Sequence, residues 1–154
     1  MSNLSNIEIL RKMRKAHPYS KTIFLNVFSR DNLPDSIPFY PCSLIINTDT
    51  NNLPGKHWIA VYINRYKVAQ YFDSLNQPRL HDIALWMNRF SWTVRKVTSF
   101  PLQSNTSLMC GGYVLYFVNE RPLKNNCKSA LELFSKNCDK NDVILTKYVE
   151  TVLK

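Results

Sequence analysis

Apolar residues recur along this chain with more than one period. Over residues 5–16, SNIEILRKMRKA, they fall at Ile7, Ile9, Leu10 and Met13, which is helical spacing. Ser5 with Glu8 three positions later has the form of a capping box at its start. The runs TIFLNVFS (22–29), CSLIINT (42–48), HWIAVYIN (57–64) and KVAQYFDS (67–74) are rich in β-branched and aromatic residues and predict strands. A loop carrying Pro34, Pro38 and Pro41 separates the first two. RLHDIALWMNRF (79–90) predicts a helix, and 92–100 a further strand. CGGYVLYFVNER (110–121) is apolar almost throughout, so it reads as a buried helix or a buried strand, ended by Pro122. Two helical segments follow, about 126–136 and 140–153. Helix, strands, helix, strand, helices is the order of an α+β domain. No repeat or linker divides residues 1–154, so one domain is expected.

Composition narrows the class. The 154 residues are 45% hydrophobic and 12% aromatic, with only 3 Gly, which excludes disordered and collagen-like chains. The net charge of +9 points to a polyanionic partner, nucleic acid before an anionic membrane; solubility alone is the plainer explanation. Arg11, Lys12, Arg14, Lys15 and Lys21 form one basic cluster, Arg95 and Lys96 another. Neither is interleaved with aromatics, so DNA contacts there would be to phosphates and independent of sequence. Cys42, Cys110, Cys127 and Cys138 form no CxxC pair, which argues against a zinc ribbon or thioredoxin motif. The start, MSNLSNIEIL, carries no secretory signal and no run is long enough to span a membrane. The expectation is an intracellular, reducing setting with free thiols.

One hairpin carries chemistry. With a turn centred on Arg65, His57 falls opposite Asp73 on one face of the sheet. A carboxylate so placed can hold an imidazole tautomer and stabilise the imidazolium. A lone strand histidine is more often structural, and Asp73-Ser74 alone reads as a strand end. The pairing raises both. His17 and His81 lack such a partner and read as surface residues. If 110–121 is a helix, Cys110 sits at its N-terminus, where the helix dipole and a neighbouring imidazolium both favour thiolate. Gly111 and Gly112 would let a substrate approach the backbone. The plainer reading, a buried thiol, suits Cys42, Cys127 and Cys138 better. Gln103 precedes Cys110 by seven residues, and its carboxamide could donate to an oxyanion.

The order His57-Trp58, Asp73-Ser74, Gln103, Cys110-Gly111 resembles the adenain-like cysteine proteases, the adenovirus-type maturation enzymes, and the related ubiquitin-like-protein-specific proteases. The similarity runs from about Phe24 to Phe117 and is nearer the adenain side through PCSLIINTDTNNLPGKHW. It implies a central mixed β-sheet flanked by helices, with Cys110 as nucleophile, His57 as general base, Asp73 as orienter and Gln103 as oxyanion donor. It implies cleavage of protein or peptide substrates at Gly-containing sites, as in maturation of viral structural proteins, with action in the virion and host nucleus. No cofactor is needed for the chemistry; stimulation by DNA or a viral peptide is a family trait. Asp73 stands where adenain has Glu, a choice seen in the ubiquitin-like branch. WTVRKVTSFPL (92–102) lacks the cysteine through which adenain joins its peptide. The competing expectations are a deconjugating protease and a silent DNA-binding scaffold.

Overall fold

The computed structural model describes residues 23–49 and 57–152, together with Glu8. Apart from Glu8, the helix expected over 5–16 lies outside the described residues, as do Arg11, Lys12, Arg14, Lys15, His17 and Lys21. Strands β1 (Ile23–Ser29), β2 (Cys42–Asn47), β3 (Trp58–Ile63) and β4 (Val68–Phe72) are followed by helix α1 (His81–Phe90) and strand β5 (Thr93–Lys96). Helix α2 (Cys110–Glu120), a 3₁₀ turn (Arg121–Leu123), α3 (Cys127–Leu131) and α4 (Cys138–Val152) complete the chain.

The strands lie in sequence order in one five-stranded sheet. The outer pairs β1/β2 and β4/β5 are parallel, and the inner pairs β2/β3 and β3/β4 antiparallel. The sheet is therefore mixed, as expected. Every residue of β2 and β3 is buried. Helices cover both faces, which explains why these strands read as continuous apolar runs. On one face Leu44, Ile46, Ile59, Val61 and Tyr71 pack against Ile83, Trp86 and Met87 of α1. On the other, Ile45, Trp58, Ala60 and Phe72 pack against α2, which is backed by Leu145 and Val149 of α4.

Helix α2 is buried from Cys110 to Asn119. A segment apolar on all sides is a core element, and eleven residues suit a helix better than a strand. The Phe72 and Phe117 rings stack with centroids 4.5 Å apart and an interplanar angle of 2°, fixing α2 on the sheet.

Two elements are shorter than their apolar patterns. The strand expected over 92–100 ends at Lys96. Beyond it the Thr98 hydroxyl donates to the Asp73 carbonyl at 3.2 Å and to Asn76 Oδ1 at 3.0 Å, anchoring the chain at the end of β4. The helix expected over 126–136 stops at Leu131. Phe134 turns inward there, onto the rings of Tyr113 and Tyr116. Helix α4 starts two residues before the predicted 140, with Asn137 Oδ1 accepting from Lys140 N. Among the described residues no helix is long and apolar enough to cross a membrane.

Candidate active site

The hairpin that carries His57 and Asp73 is centred on Tyr66, not Arg65: Ala60 faces Phe72 and Ile63 faces Ala69. Lys67 N donates to Asn64 O, and Lys67 adopts φ 61°, a left-handed residue closing a three-residue loop. Asn64 Oδ1 also accepts from Tyr66 N and Val68 N, an Asx turn that steadies it. The expected direct pairing of His57 with Asp73 is thereby corrected by two residues. A two-residue shift preserves the side-chain face, whereas one residue would have reversed it. The two side chains consequently still meet: His57 Nε2 lies 2.7 Å from Asp73 Oδ1.

Both residues sit one step outside their strands, where the chain leaves the ladder. Asp73 is buried, and its carboxylate is held by the chain that follows. Oδ1 accepts from Leu75 N at 2.9 Å, and Oδ2 from Gln77 N at 3.2 Å. The carboxylate thus has a fixed direction before it meets the imidazole. With Nε2–H donated to Asp73, Nδ1 is the nitrogen left for the Cys110 thiol, which hydrogen-bonds to the same ring. Burial pulls the His57 imidazole down. The hydrogen bonds to Asp73 and Cys110 and the charges of both outweigh it and push the group up to about 9. Cys110 is the first residue of α2 and is 3% exposed. Trp58 joins it in the core beside α2.

Gln103 is buried in the loop leading to Cys110. Its Oε1 accepts from the Ser74 hydroxyl at 2.6 Å, and its Nε2 donates to Ser107 O at 2.7 Å. The loop is clamped from two sides. Ser74 O accepts from Leu102 N and Gln103 N, at 2.8 and 3.1 Å. Leu102 O accepts from Tyr113 Oη at 3.2 Å and Asn141 Nδ2 at 3.0 Å. The fold accordingly brings His57, Asp73 and Cys110 into one hydrogen-bonded line and ties Gln103 to the residue after Asp73. Tyr113 and Asn141 were not singled out in the sequence, and Ser74 entered only beside Asp73, without a role of its own. The Asp73-Ser74 dipeptide gave a signal as a strand end and as part of the family resemblance, but neither pointed to a bond from Ser74 to Gln103.

The remaining thiols differ. Cys42 is fully buried, which pushes it up to about 12. Burial also raises Cys127. Cys138 is half-buried, near Pro101 O. His81 is exposed at the start of α1, as expected.

A basic surface absent from the sequence reading lies at the other end of β3. Trp92 N donates to Lys67 O, joining the hairpin tip to the end of α1. Lys67 Nζ lies 5.2 Å from the Tyr40 ring centroid and 5.6 Å from that of Trp92. These residues, Arg89 and Phe90 line a recess of about 310 Å³ with no acidic side chain on its wall. Trp92 is 81% exposed and Tyr66 66%. Here cations and aromatics are interleaved, unlike in the two clusters visible in the sequence.

No family model matches the chain. It is 27% identical over 96 residues to a cysteine protease of African swine fever virus. That match spans 53% of this chain and only about a third (35%) of the viral protein. The crystal structure of the African swine fever virus protease superposes with a TM-score of 0.74 at 19% identity, covering 99% of this chain and 68% of that one. The central domain of an uncharacterized Legionella pneumophila protein superposes at 0.58 and 13% identity, covering 97% and 95%. A Chlamydia trachomatis effector bound to ubiquitin superposes at 0.50 and 13% identity, covering 98% and 80%. The chain has the α+β fold of the viral cysteine protease.

Proposed function

We propose that this chain is a cysteine endopeptidase. The observation that carries the reading is the line from the Asp73 carboxylate through the His57 ring to the Cys110 thiol at the start of a buried helix. In this reading Asp73 orients the imidazole, and His57 is the base that takes the proton of the Cys110 thiol. The sulfur attacks the scissile carbonyl. Gln103 Nε2, with one hydrogen given to Ser107 O, has a second for the developing oxyanion, beside the Cys110 backbone N–H. The amine leaves with the proton from His57, and a thioester forms. Water, deprotonated by His57, then releases the acid and restores the thiol. No cofactor enters these steps.

The substrates in this reading are protein chains cleaved at Gly-containing sites, and the role is maturation of structural proteins of a virus or virus-derived element. Support comes from the adenain-like residue order and from the sequence similarity to a viral cysteine protease. DNA is the activator that the charge favours; the missing cysteine in 92–102 speaks against a disulfide-linked peptide. A thiol nucleophile of this kind works in a reducing compartment. Deconjugation of a ubiquitin-like modifier is the second reading, favoured by Asp73 in place of Glu and by the ubiquitin-bound Chlamydia neighbour. Cleavage rates on capsid-precursor peptides with Gly-containing sites, set against ubiquitin-like C-terminal fusions, decide between them. Turnover of neither substrate, with no labelling of Cys110 by a thiol-directed activity probe, leaves the silent scaffold.

A further inference from the structure

We infer that Ser74 is a positioning residue that sets the direction of the Gln103 carboxamide; the inference rests on the protease reading and deepens it. Ser74 is fully buried. Its hydroxyl donates to Gln103 Oε1 at 2.6 Å, while its carbonyl accepts from Gln103 N and Leu102 N. A carboxamide in a tight loop has two orientations, related by exchange of oxygen and nitrogen. Ser107 O can only accept, so it demands the amino group on its side. Ser74 Oγ supplies the proton that the oxygen needs on the other. Without that hydroxyl, a buried carbonyl oxygen loses its donor, which destabilises this orientation. Donation into Oε1 also polarises the amide and strengthens its free N–H as a donor.

The placement has a simple backbone origin. Asp73 and Ser74 are consecutive residues just beyond β4. The Asp73 carboxylate reaches His57 and the Ser74 hydroxyl reaches Gln103. One dipeptide thus directs both the base and the oxyanion donor, and the strand that ends there fixes their relative position.

The test is a cycle of Ser74→Ala, Gln103→Ala and the double variant, with kcat and KM on a Gly-containing peptide and iodoacetamide labelling of Cys110 against pH. Ser74→Ala should lower kcat about tenfold to a hundredfold with KM unchanged, a fraction of what losing an oxyanion donor costs. Its labelling profile should match the parent, since Asp73, His57 and Cys110 are untouched. The double variant should be no slower than Gln103→Ala alone, because both substitutions remove one effect. Independent, additive losses would overturn the inference, as would an altered labelling profile. If Ser74→Ala does not fold, Ser74→Cys, of similar volume and with a weak S–H donor, takes its place. A parent that cleaves nothing sinks the protease reading, and the inference is then read from the NMR signal of the Gln103 side-chain amide. That signal must shift and gain solvent exchange in the Ser74 variant; an unchanged signal overturns it.

Discussion

His57 and Asp73 are hydrogen-bonded without being cross-strand partners. The ladder ends at Ala60 and Phe72, and both residues lie past it. The bond ties the two central strands together at the end where α2 begins. It also links protonation to folding. The His57 imidazole, at 6.5 when unperturbed, stands at about 9 in the folded chain.

A group raised in the folded state stabilises it fully below its unfolded value and loses that effect as pH rises through the folded value. The His57 contribution should therefore be present below about pH 6.5 and fade towards pH 9. Melting temperatures of the parent should fall across this window, and Asp73→Asn should flatten the slope. A parent curve as flat as that of the variant would show that the imidazole is not held by the carboxylate.

Thiol reactivity separates chemistry from access. Cys127 and Cys138 are more exposed than Cys110, so exposure alone predicts that they react first. The imidazole at Cys110 predicts the reverse. Iodoacetamide at neutral pH, followed by peptide mass mapping, should label Cys110 roughly tenfold or more ahead of the others. Cys42, buried and raised to about 12, should be last. Labelling in order of exposure would make Cys110 an ordinary buried thiol.

The sheet was legible because β-branched runs and turn residues mark strands locally, and a sheet covered on both faces leaves no ambiguous polar stripe in β2 and β3. The end of β5 was not legible: it is set by Thr98 bonding back to Asp73 and Asn76, contacts more than twenty residues away. The same distinction governs the site. His57 and Asp73 sit in one hairpin, so pattern brought them together even with the turn misplaced. The meeting with Cys110 depends on α2 crossing the sheet, and only the family resemblance supplied it. The hydrogen bond from Ser74 to Gln103 spans twenty-nine positions and has no periodic signature.

The stacked rings of Phe72 and Phe117 give the placement of α2 an energetic test. Both are fully buried, and Phe117 lies two turns along the helix from Cys110. Phe117→Ala should cost about 3–5 kcal/mol in a denaturant melt, from lost transfer energy and the cavity left behind. Leu115→Met, which conserves volume, should cost under about 1.5 kcal/mol. A Phe117→Ala loss no larger than that of Leu115→Met would mean that the ring pair does not anchor the helix.

The recess beside Trp92 changes what the net charge of +9 predicts. A phosphate-only surface would bind double- and single-stranded DNA alike. Exposed aromatics beside Lys67 and Arg89 favour single strands, whose unstacked bases can lie on the rings. Oligonucleotide binding should thus be tighter for single strands and fall steeply with salt as counterions are released. Trp92→Ala should lose about 1–3 kcal/mol, the usual worth of one stacked base, with little change in salt slope. Lys67→Ala should instead reduce that slope. Intrinsic fluorescence makes the measurement direct: of the three tryptophans, Trp58 and Trp86 are buried, so a quench on titration reports Trp92. Equal affinity for both DNA forms, with no effect of Trp92→Ala, would return the surface to phosphate contacts. No binding even at low salt would leave the charge to solubility.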